Sequence, residues 1–535
     1  MTQLSLSPQT WRVVLIALVG LLIAPAALAD ELMDEGICQE PGKDTDPHRQ
    51  LRALSLQLRG VVPTLEEHAV VDLYGEVPES LLDEWLSSEE FASRVVRLHR
   101  GLLWNNVSNV NLFNARSSFV RSRTTSSDPF RYWRRQQGDR YRGDQVPCLD
   151  QPAEWHGDGQ IVTYPQSDGT TLEGWVEVAP YWAPDTTIRV CAFDAQDALV
   201  SPTGTRCDTT DGYEDLACGC GPGLAWCRFG GDTTRAPVEA MAEDVDRRVA
   251  ANILEDDSYL DLFTGRRAFV NGPLVHYLSY QTGVPAGTRI DPSPYPDLPL
   301  PDLTWDQEDT WMEIELGAEH AGILTSPAFL LRFQTNRSRA NRFYTSFMCQ
   351  PFQPPDTGIP TGEEEVQSLD LQVRDGCKYC HALLEPAASH WSRWTESGAG
   401  YLPSDEFPSF DEDCERCATT GESCSQECRR YYITEALTSE EVPWFGWMKS
   451  YEFRRAEHMD FPDSGPSRLA LQSTVDGRFP ECVAQTAAEW LLGRPLADEE
   501  DQYLVDLATT FQSSEFSYRE LVKAIVTSDT WRRVQ

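Results

Sequence analysis

Residues 377–381 read Cys-Lys-Tyr-Cys-His, and this spacing carries specific chemistry. Two thiols three residues apart, followed at once by a histidine, form the attachment pattern of a c-type haem. Cys377 and Cys380 would form thioethers with the two vinyl groups on one porphyrin edge, and His381 would place a neutral imidazole nitrogen under the iron. A helical turn across Cys380-His381 meets both demands. By composition, such a pentad arises on the order of once in a hundred chains of this make-up. A redox C-x-x-C, a zinc site, or a disulfide cysteine beside an ordinary histidine would use the same residues. The acidic stretch before Cys377, TGEEEVQSLDLQVRDG, does not read as the strand that precedes a thioredoxin-like dithiol.

A distal iron ligand is less clearly marked. His390 lies nine residues on, expected on the same helix, where it cannot easily reach the opposite haem face. Met448, His458 and Met459 follow at a distance that lets the chain wrap a haem. Met459 precedes Asp460-Phe461-Pro462, a loop-like setting suited to a ligand, so it is the distal candidate. An open or water-bound iron is the alternative. Trp391, Trp394, Trp444 and Trp447 are candidates to wall the ring.

The chain has 15 cysteines among its 535 residues, a usage natural to an oxidising compartment. Cys414, Cys417, Cys424 and Cys428 could bind zinc or an iron–sulfur cluster, but two local disulfides are the expected outcome there. With Cys377 and Cys380 set aside, 13 remain, an odd number that leaves at least one thiol over. Cys38, Cys349 and Cys482 stand apart from the two cysteine-dense stretches.

An apolar run over 13–24 follows Arg12, and Ala27-Leu28-Ala29 supplies a small-x-small cleavage pattern. Residues 1–29 therefore read as a secretory signal cut before Asp30. The expected destination is the periplasm or cell surface, with no transmembrane segment in the mature chain. Lys+Arg is 45 against 84 Asp+Glu, a formal net charge of −39. Such a surface excludes general nucleic-acid binding, which needs cations to displace phosphate counterions. It suits solubility and attraction to a basic redox partner. The chain has no G-x-S-x-G, phosphate-binding Gly-rich loop, H-E-x-x-H or dinucleotide fingerprint.

The elements that must position these residues read as mainly α. LLDEWLSSEEFASRVVRLHRGLLW, at residues 81–104, has helical apolar spacing. The arginine-rich stretch 116–142 is expected to ion-pair internally, with haem-propionate contact as the sharper alternative. Val-, Thr- and aromatic-rich segments over 143–230 carry six cysteines and read as a small disulfide-stapled β module. The expected order is a signal peptide over 1–29, a helical domain over 30–142, this β-rich insert over 143–235, a helical domain with a Pro-rich connector over 236–349, a c-type haem-binding domain over 350–475, and a C-terminal helical domain over 476–535.

Several stretches resemble one family. LRALSLQLRGVVPTLEEH at 51–68, HAGILTSPAFLLRFQTNRSRANRFYTSFMCQPFQPP at 320–355, CKYCHALLEPAASHW at 377–391, and FPECVAQTAAEWLLGRPL with YRELVKAIVTSDTWRR near the C-terminus are similar to planctomycete-type cytochrome c proteins. These are exported mono-haem proteins with helical domains of unknown function. The resemblance covers about half the chain and leaves the β-rich stretch unmatched. It implies a mostly helical build, one covalent haem c, Cys377 and Cys380 as attachment points and His381 as iron ligand. It specifies neither a distal ligand nor a reaction. The expected function is single-electron transfer. A haem-dependent oxidoreductase, and a non-redox interaction protein with structural haem, are the two alternatives.

Overall fold

The computed structural model describes residues 46–107, 112–113, 115–135, 142, 145–282, 293–295, 298–352, 368–422, 424–455, 458 and 465–534. The signal-peptide reading, Cys38 and Met459 fall outside these residues. The chain is mainly α, about 47% helical. No helix among the described residues is long and apolar enough to cross a membrane.

Four helices open the fold: α1 (Pro47–Leu58), α2 (Leu65–Tyr74), α3 (Glu79–Leu86) and α4 (Glu89–Leu103). Local chemistry sets their boundaries. Gly60 turns the chain at φ 77° after α1. Thr64 and Glu67 then form a reciprocal capping box that starts α2. Glu67 also pairs with Arg59 and accepts from the Trp85 indole at 2.9 Å, which ties the turn to α3.

A four-stranded sheet follows, built from β1 (Phe119–Ser122), β2 (Arg131–Arg134), β5 (Trp175–Val178) and β6 (Ile188–Cys191), beside a hairpin of β3 (Tyr164–Pro165) and β4 (Thr171–Leu172). The strand order is β1-β2-β6-β5. Only the β2–β6 pairing is parallel. The sheet thus draws two strands from the arginine-rich stretch before residue 143. Two of those arginines make buried ion pairs within this module. Arg134 bonds Asp194 at 2.9 Å, and Arg142 reaches Glu173 at 2.7 Å and Asp194 at 3.0 Å. Three disulfides staple the region, Cys148–Cys191, Cys207–Cys218 and Cys220–Cys227. A single helical turn, α5 (Thr210–Glu214), sits among them.

The long α6 (Asp232–Glu255), α7 (Asp261–Thr264) and α8 (Gly272–Tyr280) return the chain to helix. An antiparallel pair, β7 (Arg267–Val270) with β8 (Met312–Glu315), flanks α8 and brackets the Pro-rich connector. After α9 (Pro327–Arg332) and α10 (Asn336–Phe347) comes α11 (Lys378–Ala388), which carries the C-x-x-C-H residues. Two short helices, α12 (Glu412–Thr420) and α13 (Gln426–Tyr431), are joined by the disulfides Cys414–Cys428 and Cys417–Cys424. These bonds use all four thiols that a metal site would have required. The chain ends in α14 (Gly465–Val475), α15 (Arg478–Leu492), α16 (Asp501–Ser513), α17 (Tyr518–Thr527) and α18 (Asp529–Val534).

One apolar core runs through the helical parts, from Leu51 and Trp85 through Phe263, Phe343 and Trp391 to Phe511 and Trp531. The stretches read as separate helical domains therefore share one interior. Cys349, just beyond α10, bonds Cys482 in α15, closing a loop around the whole C-x-x-C-H segment. Two of the three cysteines that stood apart in the sequence are therefore partners.

Candidate functional site

Helix α11 starts at the motif itself. Gly376 adopts φ 78°, and Cys377 is the N-cap residue. The Cys380 and His381 amides donate to the Cys377 carbonyl at 3.2 and 3.0 Å. The predicted helical turn across the motif is therefore present. Cys377 and Cys380 are half-buried and make no disulfide, whereas twelve of the other cysteines pair among themselves. Exposed apolar side chains stand near them in sequence, beside the exposed ion pair of Lys378 and Asp375. Tyr379 is 69% exposed, Val373 52% and Leu383 36%.

Glu385 lies one turn after His381 and is buried. Its Oε1 accepts from His381 Nδ1 at 2.6 Å and from Arg337 Nε at 2.5 Å. Its Oε2 accepts from Arg454 at 2.7 Å. Burial pushes the Glu385 carboxyl upward. The charge of Arg454, the bond and charge of Arg337 and the His381 bond outweigh it and hold the group ionised below the ordinary carboxylate value. Burial depresses Arg454 against the charge of Glu385.

Glu385 thus anchors His381 by its Nδ1–H and leaves Nε2 as the acceptor nitrogen. A carboxylate behind a ligating imidazole fixes tautomer and ring orientation and raises basicity. The sequence reading gave no role to Glu385, although its i+4 spacing from His381 on a helix was the available signal. Arg337 and Arg454, 48 and 69 residues from Glu385, had no local signal.

Arg339 on α10 fixes the chain after α11. It is fully buried and donates to the carbonyls of Thr395 at 2.8 Å and Gly398 at 2.9 Å, among others. Burial lowers its pKa to about 10.

The other candidates are placed less favourably. His390 lies in a 3-10 turn (Ser389–Trp391) directly after α11, 7% exposed, with Nδ1 bonded to the Gly465 carbonyl at 2.8 Å. Met448 is buried in the α12–α13 cluster, where its sulfur accepts from Arg393 at 3.6 Å. His458 is half-buried. Trp391 and Trp394 sit in the shared core, the former donating to the Leu324 carbonyl at 2.9 Å. Trp444 and Trp447 are half-buried and pack against each other with centroids 6.1 Å apart.

The donor set suits a c-type haem: two thiols outside disulfides and an anchored imidazole on one turn of helix, with exposed apolar side chains in the same segment. No protein-family model, no characterised protein and no solved structure matches this chain.

Proposed function

We propose that the chain is an exported mono-haem c-type cytochrome that transfers single electrons. The observation that carries the reading is that Cys377 and Cys380 make no disulfide in a chain whose other described cysteines all do, while His381 one residue on is held by the buried Glu385. A haem bound there supplies a one-electron iron couple. Cys377 and Cys380 hold the ring edge, and His381 Nε2 offers its lone pair. Glu385 fixes the imidazole and adds negative charge behind it, which favours the more positive oxidation state. Arg337 and Arg454 keep that carboxylate ionised. Tyr379, Val373 and Leu383 are exposed apolar side chains in the same segment. The resemblance to planctomycete-type cytochrome c proteins supports the same reading, and the cysteine usage supports export. Met459 is proposed as the distal ligand. The charge of −39 favours a basic redox partner.

The test is a visible spectrum and a denaturing-gel haem stain of protein exported from a host with c-type maturation, beside a Cys380→Ala control. A sharp reduced α band, with stain that survives denaturation and weakens in the control, is expected. A six-coordinate electron carrier leaves that spectrum unchanged by carbon monoxide. A colourless folded product would overturn the haem reading, and ready carbon monoxide binding would overturn Met459.

A further inference from the structure

The N-terminal helix pair holds a second group of ligand-type side chains that the electron-transfer reading does not use. Helices α1 and α2 are joined by the short turn closed by the Thr64 capping box. His48, in the first turn of α1, meets His68 and Asp72, which lie one turn apart on α2 and so share a face. His48 Nδ1 lies 2.9 Å from His68 Nδ1, and His48 Nε2 lies 2.9 Å from Asp72 Oδ1. The rings stack at 28°, with centroids 5.1 Å apart. The group is open to solvent, with the His48 side chain 40% exposed and Asp72 71%.

We infer that His48 and His68 form a surface site for a divalent d-block cation of the zinc or copper class, with Asp72 as the carboxylate behind His48. The geometry argues as follows. Asp72 accepts the Nε2–H of His48, and this tautomer turns the Nδ1 lone pair of His48 toward His68. Two imidazole nitrogens on a tetrahedral zinc, each at about 2.0–2.1 Å, stand about 3.3 Å apart. The observed 2.9 Å is short of that by a few tenths, as expected where a shared proton stands in for the metal. Binding replaces that proton. His68 moves its N–H to Nε2, and both Nδ1 atoms become ligands. The remaining positions are open to water. The carboxylate–histidine–metal order is the outer-shell arrangement that strengthens such sites. Imidazole donors favour zinc and copper over the hard cations that an acidic surface attracts.

The test uses tag-free, full-length mature protein, stripped with EDTA and titrated calorimetrically with zinc chloride. Copper sulfate titration followed by electron paramagnetic resonance counts the ligating nitrogens. Wild type is expected to bind one saturating equivalent, with two-nitrogen hyperfine structure on copper. His48→Ala and His68→Ala should each weaken binding at least tenfold and remove one nitrogen. Asp72→Asn should weaken it about tenfold. Asp72 is exposed and His48 and His68 are half-buried, and circular dichroism checks that the fold is kept. Non-saturating binding by wild type, or wild-type affinity in the His48→Ala/His68→Ala double variant, would overturn the inference. The titrations are made in a Cys377→Ser/Cys380→Ser background as well, which removes the thiols that would bind the same metals without haem, so either result is independent of the haem reading.

Discussion

Replacing Glu385 with glutamine tests whether the buried carboxylate holds the motif together. The Glu385 side chain is 2% exposed and that of Arg454 8%, so the variant leaves a buried guanidinium facing a neutral amide. Removing one partner of such a pair costs on the order of 3–5 kcal/mol. Arg337, 48% exposed, recovers its partner from water and adds little. The expected loss is therefore about 3 kcal/mol at pH 7, read from urea unfolding. Its pH dependence has a definite sign. A carboxyl held below its unfolded value contributes stability above the unfolded pKa of about 4.3, and loses it as pH falls through the folded value. The gap between wild type and Glu385→Gln should therefore narrow as the medium is acidified below that value. In the haem-loaded protein the same variant should raise the midpoint potential, since it removes negative charge behind His381. A loss below about 1 kcal/mol at pH 7 would refute the reasoning, being the size of an exposed pair. A gap that stays constant down to acid pH would refute it too.

Two further outcomes follow from the described geometry. Replacing Cys349 and Cys482 with serine opens a loop with a sequence separation of 133. Chain entropy puts that loss at about 5 kcal/mol. The urea midpoint should fall accordingly, and an unchanged midpoint would contradict the role assigned to this bond. Burial lowers the pKa of His99, His276 and His390 to about 4, and burial with the charge of Arg248 lowers that of His320 to about 3. The unfolded chain protonates these groups near pH 6.5 and the folded one does not, so stability falls as pH drops from about 6.5 toward 4. Unfolding at pH 5.5 should take up about one proton per buried histidine, and calorimetry in buffers of different ionisation heat would show it. No uptake would mean that these rings are hydrated in the folded state.

The helical turn across the motif was legible because it is local. Cys377, Cys380 and His381 need only one helical turn, and the apolar spacing of the flanking segments announced the helices. The two disulfides of α12 and α13 were legible for the same reason, their partners lying 14 and 7 residues apart. What joins distant segments was not. The Cys349–Cys482 bond, the pairing of Arg337 and Arg454 with Glu385, and the β7–β8 pair across the Pro-rich connector depend on tertiary approach that no spacing encodes. The stretch around β1 and β2 reads as basic because its arginines dominate the composition. Two of those side chains, Arg134 and Arg142, are folded inward onto Asp194 and Glu173, whereas Arg121 and Arg123 stay exposed over the Phe130 ring. The division into helical domains follows from linkers visible in the sequence. The single core that crosses those linkers follows from apolar faces that only packing brings together.

The most direct test of the central claim is peptide-level mass spectrometry of the protein exported with c-type maturation. The account predicts an intact mass increased by one haem, and a proteolytic peptide spanning Cys377–His381 that carries the whole increment through both cysteines. A chain without the increment, with Cys377 and Cys380 recovered as alkylated thiols or as a disulfide, would contradict it.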